Sequence, residues 1–584
     1  MTIRTAEHAA SSVEFATRPR PRFRLLLVAL LIASTCYSAL SPRGWSADVV
    51  TARNGMVVTS SAPASDVGLA VLQQGGNAVD AAVAVALAMT VTYPQAGNIG
   101  GGGFMMIHPG EGQPVVCVEY RERAPAAATK TMFTLGESHL GHRMVGVPGT
   151  VRGLALAHER FGKLPWKDLV LPAVRLSKDG FAVDERLASS LNAAWSDKRT
   201  KPFEEFRRVF GPPETGRWVA GDRLIQPELA ETMQLIAEQG PSAFYEGRIA
   251  AQIATEMQTG YGLITKQDLS EYRATVRQPI HGVFRGHDIY GPPPPSSGGT
   301  CLVEMLNILE PFGLRARGRW SAETMHLIIE AQRRGYLDRA RHLGDGDLVP
   351  IPPRLTTKSY AAELAGKINL QRATRSEDLA SDIPLASEGQ STTHFCVIDS
   401  NGMAVSNTYT LEQAFGSRVV VRGAGFLLNN EMGDFNWKPG HTDRQGNIGT
   451  LANQIAPGKR MLSSQTPTIV TRNGRAVLLT GSPGGRTIIN TVLCVVLNTL
   501  EFEMELGQAV EAPRLHHQWL PDRVRFEAAD QGDLQAVVKQ LSAMGHTIQR
   551  VASQGDANSI HVDPQSGLYR GVADPRRSGK AAAY

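Results

Sequence analysis

The sequence predicts a mixed α+β chain folded as one large domain, on three observations. Ala-rich segments with helical spacing, Asp80 to Thr90 and Gln226 to Gln239, alternate with short β-branched stretches. Glycine-rich turns punctuate them throughout. No internal repeat, coiled coil or long low-complexity run breaks the pattern. The chain has 584 residues, 42% hydrophobic and 20% charged, which is long enough for a large core and ordinary for a globular protein.

The N-terminus stands apart. Arg18, Arg20, Arg22 and Arg24 precede the apolar run Leu25 to Ala33, which continues weakly to Leu40. Basic then apolar is the order of a secretory signal peptide, and the run is short for a membrane span. Cleavage after Ala47 is expected, although Trp45 is a poor residue for that junction; an uncleaved anchor is the alternative. Thr35 before Cys36 argues against a lipoprotein. The expected location is periplasmic or secreted. Residues 1–47 hold 6 Arg and 2 Glu, so +4 of the formal +5 leaves with them. A mature chain near +1 argues against nucleic-acid binding through bulk charge.

Further along, Gly100 to Gly103 lacks the Gly-x-Gly-x-x-Gly spacing and downstream acid of a dinucleotide loop. His394 to Asp399 reads as a strand, Asn401-Gly402 as a tight turn and Met403 to Thr410 as the returning strand. Thr392 therefore opens a hairpin. A threonine hydroxyl needs a base, and its own α-amino group serves once the preceding peptide bond is cut. With a pKa of about 7.7–8.0, that amine is a fit proton acceptor near neutral pH. Taken alone, a Thr-Thr pair is an ordinary strand start.

Thr466 to Arg472 and Arg475 to Thr480 read as two strands around Asn473-Gly474, and Arg486 to Leu500 as an apolar helix. Gly484 and Gly485 fall at the helix N-terminus, where unpaired N–H groups and the dipole favour a developing oxyanion. The simpler reading is a helix entry that needs glycine geometry. No Walker-type phosphate loop, Gly-x-Ser-x-Gly elbow or His-Glu-x-x-His zinc helix occurs. His516-His517 suggests packing or hydrogen bonding rather than a metal. No cofactor and no metal are expected. Cys117, Cys301, Cys396 and Cys494 lack paired spacing and read as buried thiols.

Many of these segments together resemble the γ-glutamyltranspeptidases. The resemblance rests on Gly97-Asn98-Ile99-Gly100-Gly101-Gly102, Tyr120-Arg121-Glu122-Arg123-Ala124-Pro125, Val147-Pro148-Gly149 and Pro295-Ser296-Ser297-Gly298-Gly299. It continues in Thr392-Thr393-His394, Thr408-Tyr409-Thr410, the run Leu428 to Phe435, the run Pro457 to Ser464 and Gly481-Ser482-Pro483-Gly484-Gly485. It closes with His516-His517-Gln518-Trp519 and Ala573-Asp574-Pro575-Arg576-Arg577, and covers nearly everything after residue 48.

The resemblance implies an N-terminal-nucleophile hydrolase fold, a four-layer αββα sandwich. It implies a precursor that cuts itself between Ser391 and Thr392 into a large subunit, 48–391, and a small subunit, 392–584, paired in one intertwined domain. It further implies transfer of γ-glutamyl groups from glutathione or similar small molecules to water, amino acids or peptides. By match to the family's motifs, Thr392 is the nucleophile, Thr410 its hydrogen-bond partner, and Gly484 and Gly485 the oxyanion hole. Arg121, Ser463 and Ser464 match its carboxylate-binding residues, and Glu431 and Asp434 its ammonium-binding acids. Read singly, Arg121 is a surface cation, Ser463-Ser464 a turn, and Glu431 and Asp434 solvated loop acids.

Glu412 departs from the pattern, standing where better-known members carry an asparagine near the α-amino group. Three carboxylates around one ammonium would push one pKa up. The stretch Asn436 to Gly458 aligns with the lid loop of some bacterial members; it holds Trp437 but no tyrosine, so no gating aromatic is assigned. Two rivals remain: a related cephalosporin or glutaryl acylase, and a secreted binding protein that has lost catalysis.

Overall fold

Strand Ala404–Glu412 lies near the middle of the molecule, buried along its whole length. It pairs antiparallel with Ser391–Asp399 on one side and with Gly102–His108 on the other. The Asn401-Gly402 turn joins the first pair, with Gly402 at φ 78°. These strands belong to one of two seven-stranded sheets; the other contains Thr468–Arg472 and Arg475–Thr480 beside Ser559–Val562 and His287–Gly291. The computed structural model describes residues 47–380 and 391–584. The basic-apolar leader with Cys36, and the ten residues 381–390 ahead of the hairpin, lie outside the described residues.

Side-chain alternation explains the layering, because successive strand residues face opposite sides. In strand Gly55–Thr59, Met56 and Val58 turn inward to a cluster with Phe104, Met106, Cys396, Ile398, Ile469 and Leu479, drawn from both sheets. Val57 faces the other way, into a cluster with Met105, Ile107, Phe395, Val397 and the helix residues Val85 and Met89. Apolar residues on both faces give a sheet buried twice.

Helices Ala62–Gln73 and Ala78–Thr92 cover the outer face of the sheet that holds Ala404–Glu412. Gly298–Leu309 covers the second sheet, backed by Ala322–His342 and Thr487–Val496. The order helix, sheet, sheet, helix is the expected four-layer sandwich. The described residues form one compact unit.

The expected elements fall close to their observed bounds. The helix expected at Asp80 to Thr90 runs Ala78–Thr92, its N-terminus closed by a capping box of Asn77 and Asp80. The helix expected from Arg486 to Leu500 is α-helical over Thr487–Val496 and widens into a π turn over Leu497–Glu501. His516 ends a short strand, Leu515–His516. Both histidines of the pair hydrogen-bond: His516 to Asn490 and Gln518, His517 to Asp522 and the Trp519 N–H. The four described cysteines are buried free thiols.

Candidate active site

The hairpin is irregular where it matters. Ser391 pairs with Glu412, but Thr393 pairs with Tyr409, so Thr410 and Leu411 together oppose Thr392. Such a bulge bends the strand and re-aims side chains. Glu412 takes up the distortion at φ 77°. Thr392 Oγ1 then donates to Thr410 Oγ1 at 3.3 Å, and Thr410 Oγ1 also accepts the Glu412 N–H at 2.8 Å.

Both threonines line a pocket of about 300 Å³. Arg121, Glu412, Glu431, Asp434, Ser463, Ser464 and Gly485 complete the expected lining. Nine of the ten residues singled out by sequence are thus gathered from six separate stretches of chain. The tenth, Gly484, precedes Gly485 at the entry to Thr487–Val496. Gly484 has φ 133° and Gly485 φ 57°, both in the range glycine tolerates best. Among the described residues neither of their N–H groups has a hydrogen-bond partner. Two free amides therefore sit at the positive end of a helix dipole, in the pocket that Thr392 lines.

The head of the pocket is a charge cluster. Arg121 is fully buried, not the surface cation of the single-residue reading. Its Nη1 lies 2.7 Å from Glu431 Oε2 and 3.3 Å from Glu122 Oε2, and its Nη2 lies 2.5 Å from Asp434 Oδ2. Nε donates to the Met461 carbonyl at 3.2 Å. The sequence reading assigned the arginine and the acids to separate substrate groups; the structure puts them in direct contact.

Burial works against the Arg121 charge, but Glu431, Glu122 and Asp434 more than offset it and hold its pKa above the ordinary value. Burial pushes the Glu122 carboxyl up to about 7 against the opposing charge of Arg121. Burial and then the charge of Asp434 raise Glu412. Glu412 Oε2 accepts from Asn430 Nδ2, and Oε1 has no hydrogen-bond partner among the described residues. Glu431 is likewise raised, by burial first.

Sequence reasoning missed two lining residues, Gln465 and Ile488. Gln465 is buried, and neither atom of its side-chain amide has a hydrogen-bond partner among the described residues. Its position directly after the serine pair was the available signal. No residue of 436–458 is among the lining. Trp437 packs instead with Phe133, Phe435 and Ile455, its Nε1 donating to the Met432 carbonyl at 3.0 Å.

His326, Glu330 and His546 bring metal-type ligand atoms together away from this pocket. They are already committed. The two imidazoles bond each other at 2.8 Å, and Glu330 is held by Arg333, Arg334 and Thr374. That neighbourhood of two guanidinium groups is unfavourable to a cation.

Comparison with known proteins decides the family. The Gamma-glutamyltranspeptidase family model matches residues 64–584. The chain belongs to the γ-glutamyltranspeptidase family. It is 42% identical to the glutathione hydrolase proenzyme of Escherichia coli (strain K12), over 95% of this chain and 98% of that protein. The corresponding proenzyme of Pseudomonas sp. (strain A14) is 40% identical, with 95% and 99% covered. Among solved structures, a cephalosporin acylase from Bacillus halodurans superposes with a TM-score of 0.83 at 28% identity, covering 93% of this chain and 98% of that one. The fold is accordingly that of the N-terminal-nucleophile hydrolases.

Proposed function

We propose that this chain transfers γ-glutamyl groups from glutathione and related compounds to water or to amino acid and peptide acceptors, through an ester on Thr392. The observation that carries this reading is the Thr392–Thr410 hydroxyl pair opening onto a pocket headed by Arg121 and three acids. A γ-glutamyl donor presents an α-carboxylate and an α-ammonium. Arg121 and the serine pair suit the first, and Glu412, Glu431 and Asp434 the second.

The chemistry begins with self-cleavage between Ser391 and Thr392. Thr392 Oγ attacks the Ser391 carbonyl carbon, the C–N bond breaks, and the hydroxyl proton passes to the new α-amino group. Water then hydrolyses the ester, freeing large (48–391) and small (392–584) subunits that stay paired. In turnover the Thr392 amine takes the hydroxyl proton, Oγ attacks the γ-carbonyl carbon, and Gly484 and Gly485 N–H groups hold the oxyanion. The proton passes to the departing amine as its C–N bond breaks. Water or an acceptor amine then attacks the ester and restores Thr392.

Thr392 also lines a second pocket of about 660 Å³, with Tyr93, Gln95, Arg186 and Arg577. Arg577 Nη1 donates to Tyr93 Oη at 3.3 Å, and among the described residues no carboxylate lies within ion-pair distance of it. We read this as the side where the leaving amine departs and an acceptor carboxylate is met. Export to the periplasm or medium is proposed from the leader. No helix among the described residues is long and apolar enough to cross a membrane.

The acylase reading is weaker, because an acyl group without an ammonium would leave the acids of the pocket without a partner. Denaturing mass spectrometry, with turnover of a γ-glutamyl anilide and a glutaryl anilide, with and without glycylglycine, tests all of this. Two fragments, the smaller beginning at Thr392, with γ-glutamyl turnover accelerated by glycylglycine is the expected result. Glutaryl turnover alone would make it an acylase. An intact, inert chain would overturn the assignment of Thr392.

A further inference from the structure

The serine pair is gripped from outside its own loop. Arg339, on helix Ala322–His342, is 3% exposed. Its Nη2 donates to Ser464 Oγ at 3.0 Å and its Nε to Ser297 Oγ at 2.9 Å. Ser297 Oγ in turn donates to the Ser463 carbonyl at 2.6 Å, as does the Ser297 N–H at 2.8 Å. Ser296 Oγ donates to the Gln465 carbonyl at 2.5 Å. One buried cation and two serines ahead of helix Gly298–Leu309 thus pin three consecutive residues of the pocket wall.

We propose that Arg339 is a positioning residue for the donor's α-carboxylate, acting through Ser464; this rests on the γ-glutamyl reading above. A guanidinium only donates, so Ser464 Oγ must accept from it. The Ser464 O–H cannot point back at the cation, and on this proposal it turns to the pocket that Ser464 lines. A hydroxyl whose oxygen already accepts from a charge is polarised and donates more strongly. A carboxylate beside Arg121 therefore meets an oriented, strengthened donor. Arg339 is not among the residues lining the pocket with Thr392, so its effect falls on donor binding and not on the chemical step.

The test is a cycle of Arg339→Lys, Ser464→Ala and the double variant, read as KM and kcat for a γ-glutamyl anilide. Lysine keeps the charge but cannot span both serine hydroxyls. Arg339→Lys is expected to raise donor KM about tenfold, the effect of weakening one charge-assisted hydrogen bond, with kcat within about twofold. In the Ser464→Ala background the same change should move KM less than about twofold, since the path through Oγ is gone. An unchanged KM, a fall in kcat with KM unmoved, or an equal rise in both backgrounds would overturn the proposal. If Arg339→Lys fails to fold or self-cleave, Ser297→Ala replaces it. That variant frees Arg339 Nε and should raise donor KM about threefold with kcat kept; an unmoved KM again overturns it. Wild-type protein inert toward the anilide would instead sink the γ-glutamyl reading, before any variant is compared.

Discussion

Replacing Glu122 by Gln separates the electrostatics of the pocket head from its packing. Glu122 is fully buried beside Arg121, and its Oε1 has no hydrogen-bond partner among the described residues. Burial is the main reason its carboxyl is pushed from 4.5 to about 7. An acid with a folded pKa above its unfolded one binds more protons folded than unfolded between those values, so stability falls as pH rises. The contribution is fully present below about pH 4.5 and is lost as pH climbs through about 7. At 1.36 kcal/mol per pH unit, that difference comes to about 3 kcal/mol. Glutamine fills the same volume and stays neutral, so Glu122→Gln escapes the loss. Relative to wild type, the variant should gain about 3 kcal/mol of unfolding free energy between pH 4.5 and 8.5. Scanning calorimetry at matched ionic strength should show its apparent Tm moving up by about 3 °C relative to wild type over that range, at ~1 kcal/mol per degree for a chain this size. A constant offset between the two Tm curves would refute the reasoning, because the buried carboxylate would then carry no cost at neutral pH.

Three further outcomes are expected. Gly484→Ala places a Cβ 2.4 Å from Thr487 Oγ1 at φ 133° and should disturb the free amides, lowering kcat about 100-fold while donor KM stays within about threefold; a preserved kcat would remove Gly484 from the oxyanion site. Glu412→Asn takes one of three acids from the ammonium side and should shift donor KM or acceptor use by at least about threefold; unchanged kinetics with donor and acceptor would show that Glu412 points elsewhere. Arg577→Ser should lower the ratio of transfer to hydrolysis with glycylglycine by about tenfold, and an unaltered ratio would move the acceptor out of the second pocket.

What the sequence made legible was local or carried by motif. Strand alternation and the Asn401-Gly402 turn located the hairpin that Thr392 opens, because a period of two and a tight turn are short-range properties. The ordered motifs named the pocket residues, which come from distant stretches and share no local signal. The bulge at Thr410-Leu411 was not legible, since it depends on how two strands register under packing. Nor was the direct pairing of Arg121 with Glu431 and Asp434. That pairing follows from burial: a fully desolvated guanidinium and desolvated carboxylates in one cavity must neutralise one another. Arg339 escaped notice for a related reason. It sits within a long helix where local sequence does not show burial, and Arg333, Arg334 and Arg339 are all buried.

The paired state of the pocket head has a consequence for selectivity. Arg121 is engaged by the same acids that, on the γ-glutamyl reading, take the donor's ammonium. A ligand carrying only a carboxylate would claim the arginine and strand Glu431, a buried acid, without its cation. A ligand carrying only an ammonium would strand the arginine. Either outcome leaves an uncompensated buried charge, which costs several kcal/mol. A zwitterion avoids both penalties, because its two charges replace the pairs they break. Ser463, Ser464 and the polarising Arg339 then tilt the exchange toward the bound state by offering the carboxylate donors that the acids do not use. On the γ-glutamyl reading, singly charged acyl groups are disfavoured by what they would leave unpaired, in addition to any contact they lack. Discrimination between γ-glutamyl and glutaryl donors should therefore exceed what loss of one ammonium contact alone would give.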